Sequence, residues 1–374
     1  TIMTTLQEQI ENARMQVHTD SYPMSIGELV NLYDDGELDI HPEFQRLYRW
    51  SDEQKSKLIE SILLGIPLPS IFVAQRKDGV WDVVDGLQRI STILSFLGKL
   101  KDEEGKVKEP LVLQKTKYLP ALENKVWENP INRDLEIDIE IKRIFKREKI
   151  DIKIIKRESD NDTKFELFQR LNTGGSKLSD QEVRNCMLLM HNKNAYFWLK
   201  DLAKNSDFLN TLPISEKQTE ECYDQELAFR FFVQRHSDGT TRKEHSDVGP
   251  YLNAELTRLF DEKSGFNYDE EQGIFIKTFK IANQALGEDA FKKFNHSKGK
   301  YEGAISLPVY EAMSVALSNL IKSSKYDDEQ LIDLYKDKSK ELTAHEDFKI
   351  SQERRVRPLD RMVLMSTIGQ EILK

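Results

Sequence analysis

Cysteine is scarce. Cys186 and Cys222 are the only two in 374 residues. Two thiols cannot build a disulfide scaffold or a cysteine-based zinc site. A reducing compartment, the cytoplasm, is therefore the expected location. No apolar run approaches the roughly 20 residues that a membrane-crossing helix needs, so no membrane partner is expected. No basic–apolar–small pattern reads as a signal peptide. Internal repeats and low-complexity linkers are missing too. Positive charge is in deficit: 55 Lys and Arg face 64 Asp and Glu, a formal net charge of −9. That balance argues against a protein that coats nucleic acid non-specifically. It leaves room for a local basic groove, so the distribution of charge matters more than its sum.

What is present is the composition of a folded chain, 39 % hydrophobic and 32 % charged, and long enough for two domains. Ser25 and Glu28 have capping-box spacing ahead of Leu29, Val30 and Leu32, which predicts a short helix. Ser51 and Gln54 repeat the box before an apolar stripe of Leu58, Ile59, Ile62 and Leu63. Residues 71–74 and 81–84 read as strands around the turn Lys77-Asp78-Gly79. A helix is predicted from about Gln88 to Leu97. Leu135, Ile137, Ile139 and Ile141 alternate with charged residues and predict a strand, as do Ile150, Ile152 and Ile154. Thr163 and Glu166 are read as capping a helix, and Ser179 and Glu182 as opening another. Beyond that the chain reads as helical, with loops near 211–219, 236–250, 261–272 and 295–303. The fold class is α+β for residues 20–187, followed by an all-α lobe over 188–374.

Three local sets carry chemistry. The first is Val83-Val84-Asp85-Gly86-Leu87-Gln88-Arg89-Ile90-Ser91-Thr92, a strand that turns directly into a helix. The first amides of such a helix have no partner within it and, with the helix dipole, favour an anion. Arg89 can add paired phosphate contacts, and Ser91 and Thr92 can add hydroxyls. Asp85 can bind a metal, orient a water or accept from a sugar hydroxyl. The alternative is an Asp85 helix cap and an ion-paired Arg89. The second set, Pro42-Glu43-Phe44-Gln45-Arg46-Leu47-Tyr48-Arg49-Trp50, mixes Gln and Arg with aromatics. It reads either as a nucleotide clamp or as a packed aromatic loop. The third, Arg170-Leu171-Asn172-Thr173-Gly174-Gly175, reads as a polar helix end beside a ligand or as a plain C-cap.

In order along the chain stand Phe44-Gln45-Arg46 with Trp50, then Leu-Ile-Glu-Ser-Ile-Leu-Leu-Gly-Ile-Pro-Leu-Pro over 58–69, then Asp85-Gly86-Leu87-Gln88-Arg89. Phe168-Gln169-Arg170-Leu171-Asn172-Thr173-Gly174-Gly175 follows, and then Leu178-Ser179-Asp180-Gln181-Glu182-Val183-Arg184-Asn185. This ordered set resembles the N-terminal domain family of GmrSD-type modification-dependent restriction enzymes, within the wider ParB/sulfiredoxin-like fold. The resemblance covers about residues 22–190. It implies a bacterial or phage-encoded protein that acts on DNA in phage defence. The family's Asp-Gly-Gln-Gln-Arg motif is associated with NTP binding and hydrolysis, with Mg2+ where hydrolysis occurs, and in some members with sensing modified DNA. Carried over by position, the resemblance assigns Asp85, Gln88 and Arg89 to catalysis. It assigns Gln45, Arg46, Gly86, Arg170, Asn172, Thr173 and Gly174 to nucleotide or base binding. Leu87 departs from the family glutamine, and a leucine cannot hydrogen-bond a base, a phosphate or a water. GmrSD-type enzymes usually add an HNH-like nuclease. Here His191, His236, His245, His296 and His345 are scattered without ligand spacing, so no HNH or other metal centre is predicted.

Two basic clusters are candidate DNA contacts. Between 142 and 157 eight Lys or Arg stand against two acids, with Lys142, Arg143, Lys146 and Arg147 around Phe145. Arg354, Arg355 and Arg357 form the second. Three functions follow. One is an NTP- and DNA-binding defence protein that recognises modified phage DNA. Another is a DNA glycosylase that accepts a flipped modified base, with Asp85 as its carboxylate. The third is a sensor for a separate nuclease or repair partner.

Overall fold

A computed structural model describes residues 5–15, 18–41, 50–157, 159, 166–168, 170–171, 178–237 and 242–374. The chain divides into two compact units, Thr1–Ser176 and Lys177–Lys374.

The first unit opens with helix α1 (Leu6–Met15) and strand β1 (Thr19–Ser25), followed by α2 (Ile26–Asp34) and β2 (Leu38–Asp39). Then come α3 (Asp52–Leu63), β3 (Ile71–Gln75), β4 (Trp81–Asp85), α4 (Leu87–Phe96), α5 (Ile139–Arg147) and β5 (Lys149–Ile155). The five strands form one mixed sheet in the order β1-β5-β3-β4-β2. β5 lies parallel to β3 and β2 parallel to β4, while β1–β5 and β3–β4 are antiparallel.

Local chemistry explains the helix starts. The Ser25 hydroxyl accepts from the Glu28 amide, and Ser51 with Gln54 makes a full capping box. Gly65 follows α3 at φ +68, the left-handed position that a helix end favours. One face of the sheet carries Ile71, Val73, Val83, Ile150 and Ile152. Leu29, Ile59, Ile90, Ile93 and Phe145 from the helices pack in the same core. Each fully buried Ile or Phe stabilises the fold by roughly 1.5–3 kcal/mol.

Where a strand is expected over 135–141, helix α5 begins at Ile139. Ile137 and Phe145 are buried and Ile141 is partly buried, at a spacing of four residues, while Ile139 is 59 % exposed. A strand would have put Ile137, Ile139 and Ile141 on one face. Every-second-residue alternation contains every-fourth-residue spacing, and the apolar side chains satisfy the helical reading. β1 and β2 were not expected. Only Met24 of β1 is buried and β2 has two residues, so neither carries an alternation to read.

Among its described residues the second unit is helical apart from one hairpin. Its helices are α6 (Asp180–His191), α7 (Lys193–Leu202), α8 (Ser206–Asn210), α9 (Glu216–Glu220), α10 (Tyr223–Arg235), α11 (Val248–Phe260) and α12 (Tyr268–Leu286). Strands β6 (Lys293–Asn295) and β7 (Lys300–Glu302) follow, then α13 (Leu307–Ser323), α14 (Asp328–Leu342), α15 (Glu346–Ser351) and α16 (Pro358–Ile372). α6 begins in the capping box expected from Ser179 and Glu182, and it belongs to this unit. Phe208, Phe231, Phe232, Phe275, Phe279 and Tyr310 form its aromatic core. Trp198 packs among Phe232, Phe266 and Tyr268. Cys186 and Cys222 are buried and form no disulfide. No described helix is long and apolar enough to cross a membrane.

Candidate functional site

The register of β3 with β4 contains a bulge. Val73 faces Val83 and Ala74 faces Asp82, but Phe72 faces Asp85, so Val84 is the extra residue. Opposed residues on paired strands point to the same side of a sheet. The bulge therefore turns Asp85 to the side shared by Phe72, Ala74 and Asp82, away from the face that Ile71, Val73 and Val83 give to the core.

Gly86 then starts α4 at φ +98, and no side chain caps the helix. A Cβ at Gly86 would lie 2.9 Å from the Ile71 side chain and 3.1 Å from Arg89 Nη2, so only glycine fits this turn. Arg89 Nη2 donates to the Ser70 carbonyl at 3.0 Å and to Asp85 Oδ2 at 3.3 Å. Its Nε is buried and has no hydrogen-bond partner among the described residues. Burial pushes the Asp85 carboxyl above the ordinary range, against the pull of Arg89 and of the Gly86 amide. Burial likewise lowers Arg89, with Asp85 opposing. An ion pair therefore sits at an uncapped helix start, one donor unspent.

A second cluster shares the Asp82 side of the sheet. Asp39 of β2 stands opposite Asp82 of β4 in the parallel register. His41 Nε2 lies 2.5 Å from Asp82 Oδ1, and the Asp39 carboxylate accepts the His41 backbone amide at 2.8 Å. Arg76 spans the group, donating from Nε to both Asp82 oxygens at 2.9 Å and from Nη2 to Asp39 at 2.7 Å. His41 holds φ +48, a conformation that a side chain of this size rarely takes. Burial alone would raise Asp39, but His41 and Arg76 hold its carboxyl below the usual range. Burial also works against the Arg76 charge, and the two carboxylates outweigh it and raise the guanidinium further. Asp39, His41 and Asp82 each offer a ligand atom within 4.8 Å of the others. Arg76 already supplies the positive charge between the two carboxylates, so this set does not fit Mg2+ as it stands.

Sequence reasoning missed this cluster because its four members span residues 39–82 and meet only through the pairing of β2 with β4. The one local signal was Asp39-Ile40-His41, two polar side chains flanking an apolar one just before the Gln-Arg set.

The other expected site residues are placed as follows. Gln45, Arg46, Asn172, Thr173 and Gly174 lie outside the described residues. Gln88 is half-buried in the first turn of α4. Leu87 packs against the core. The hydroxyl contacts expected from Ser91 and Thr92 find no support in their placement. Both side chains are fully buried, and Thr92 Oγ1 donates to the Gln88 carbonyl at 2.7 Å. Arg170 is exposed and pairs with Glu166 at 2.6 Å. Lys142 is buried, pairs with Glu136 at 2.6 Å and lies over Trp127, so its ammonium is already engaged. Phe145 is fully buried against Phe96 and Trp127 and cannot stack on a base. Arg143, Lys146 and Arg147 are exposed, as are Arg354, Arg355 and Arg357. His236 pairs with Glu271, and His345 lies 3.6 Å from Glu371.

The motif residues Gln181, Arg184 and Asn185 are buried in the helical unit. Asn185 donates to Gln225 at 2.6 Å, Arg184 Nη1 to Gln181 and Arg184 Nε to Asn253. They join the helices of that unit.

Residues 26–189 match the family model described as GmrSD restriction endonuclease, N-terminal domain. No curated protein and no solved structure matches the chain. The matched range contains the capped helices α2 and α3, the sheet from β2 to β5, the Asp85–Arg89 turn and the Asp39–Asp82 cluster. Over residues 26–189 the chain is thus similar to the N-terminal domain of the GmrSD restriction endonucleases.

Proposed function

We propose that the chain recognises modified phage DNA in defence, through a phosphate-binding pocket at the Asp85–Arg89 turn. The observation that carries this reading is the uncapped start of α4 beside Arg89, whose buried Nε has no partner among the described residues. A phosphate there would meet the first-turn amides of α4, which no side chain caps, together with the helix dipole and a guanidinium. Gly86 supports the reading because its φ of +98 lets the guanidinium of Arg89 lie close against the helix start. The family, one of restriction endonucleases, supplies the DNA context.

The ligand on this reading is an NTP or the backbone of a bound nucleotide. Hydrolysis is the finer proposal. The family's first glutamine is Leu87 here, and its side chain turns to the core. Gln88 is then the amide left in the turn to orient a water. The Asp39–Asp82 cluster is the platform from which the chain enters the segment with Gln45 and Arg46. A separate nuclease or repair partner would act on the DNA once it is recognised.

A second reading makes the protein a glycosylase. It rests on Asp85, a carboxylate that the bulge aims away from the core and that is 31 % exposed. Such a group could stabilise an oxocarbenium-like sugar as a base leaves.

One experiment separates these readings. The chain is incubated with unmodified and with glucosylated hydroxymethylcytosine DNA, with and without NTP. Tighter binding of modified DNA, with NTP bound or consumed, is the expected result. Alkali-labile abasic sites without NTP would favour the glycosylase. Equal affinity for both DNAs and no NTP binding would overturn the first reading.

A further inference from the structure

We infer that the β6–β7 hairpin, joined to the Arg354–Arg357 segment, is a docking surface for the phosphate backbone of duplex DNA. The inference rests on the DNA reading above and concerns a different part of the molecule. Residues 292–300 hold four lysines and no acid. Lys292 is held by Asp289 and Glu288, and the hairpin presents the other three. Asn295 Oδ1 accepts from the amides of Ser297 at 3.0 Å and Lys298 at 3.1 Å, and Gly299 closes the turn at φ +65. Phe294 and Tyr301 face each other across the strands with ring centroids 5.0 Å apart.

The hairpin is fixed to α14. Thr343 Oγ1 donates to the Phe294 carbonyl at 2.9 Å, and the Tyr301 and Ser339 hydroxyls are bonded at 2.5 Å. The strand period of two then places Lys293, Asn295 and Lys300 opposite to Phe294 and Tyr301, with Glu302 on the same face across from Lys293. Lys293 Nζ reaches Gln352 Oε1 at 3.5 Å, which joins the hairpin to the segment holding Arg354, Arg355 and Arg357.

Local acids are largely spent. Glu302 holds Lys298 and the Asn295 amide, Glu353 holds Arg355, and Asp360 holds Arg357. Lys293, Lys300 and Arg354 are exposed, and none makes an ion pair among the described residues. Three unpaired cations on a rigid mount, in a chain with net charge −9, form a local site for a polyanion. Lysine on a flexible stem suits backbone phosphates rather than base edges, so the surface is expected to hold DNA without reading its sequence.

The test titrates a labelled 20-base-pair duplex with the full chain between about 50 and 200 mM salt. Each phosphate contact contributes about 0.9 to the slope of log affinity against log salt. The Lys293→Gln/Lys300→Gln variant is expected to lose about 1.8 from that slope, and roughly tenfold or more in affinity at the low-salt end. Lys293→Arg/Lys300→Arg keeps the charge and is expected to keep the slope. An unchanged slope in the glutamine variant overturns the inference. So does an affinity loss that the arginine variant shares. No duplex binding by the unaltered chain overturns both this inference and the DNA reading. Binding that keeps its slope in Arg89→Ala but loses it in the glutamine variant supports the hairpin independently of the pocket.

Discussion

Arginine–carboxylate clusters occur in both units, and they differ in what surrounds them. In the helical unit Arg230 bonds Glu226 at 2.8 Å and Glu311 at 3.1 Å, and Arg235 takes Glu271 through two nitrogens and Ser318 through a third. The side chains of Arg235 and Glu271 are 3 % and 2 % exposed. Nothing from solvent can compete there, so these buried groups hold helices together. On the sheet Arg76, Asp39 and Asp85 are 28 %, 25 % and 31 % exposed, although their partners Asp82 and Arg89 are 1 % and 13 % exposed. The same residue types remain within reach of a ligand. Burial rather than composition separates an internal tie from a binding surface.

The largest break in this contrast is expected from Glu271→Leu. It leaves Arg235 buried without its paired partner, at a cost of about 3–5 kcal/mol in urea unfolding followed by helical circular dichroism. A cost under about 1 kcal/mol would mean that this pair is not the tie described.

Titration sharpens the contrast next. Burial pushes Glu311 up from 4.5 to about 7, with Arg230 pulling against it. The folded state then holds this proton where the unfolded state has lost it. The associated stability is complete below about pH 4.5 and lost as pH rises through about 7, on the order of 3 kcal/mol. Glu311→Gln is expected to flatten that decline. Glu271 has the opposite sign. Burial would raise it, but bonds from His236 and Arg235 hold it at about 2. Its contribution is present above about pH 4.5 and fades as pH falls toward 2.

On the sheet, Gly86→Ala meets a φ of +98 and the Ile71 side chain. A cost of about 1–2 kcal/mol is expected, together with weaker nucleotide binding. Thermal melts and nucleotide titration on the same sample check both. The smallest effect is Asp39→Asn, at about 0.5–1 kcal/mol, because Arg76 keeps Asp82 and solvent reaches the site. A loss as large as that of Glu271→Leu would erase the distinction between the clusters.

Much of this was legible in the residues. Ser51 with Gln54 and Ser179 with Glu182 sit where short-range bonding requires, so both helix starts are readable from four residues. The strand–glycine–helix turn at Asp85 was readable for the same reason. What depends on distant pairing was not. β1 is an exposed edge strand with one buried residue, and Asp39, His41, Arg76 and Asp82 meet only through the sheet. α5 was misread because a spacing of four satisfies both periods. The lysines of 292–300 drew no attention inside a segment read as a loop. Ser91 and Thr92 looked available beside a phosphate-like turn, yet α4 is covered on that side.

The central claim is that Arg89 at the start of α4 holds a phosphate. Titration of labelled NTP into the unaltered chain and into Arg89→Ala tests it most directly. The account predicts a Kd raised roughly 10- to 100-fold in the variant, with the helical unit still folded. Equal affinity in the two proteins would contradict it.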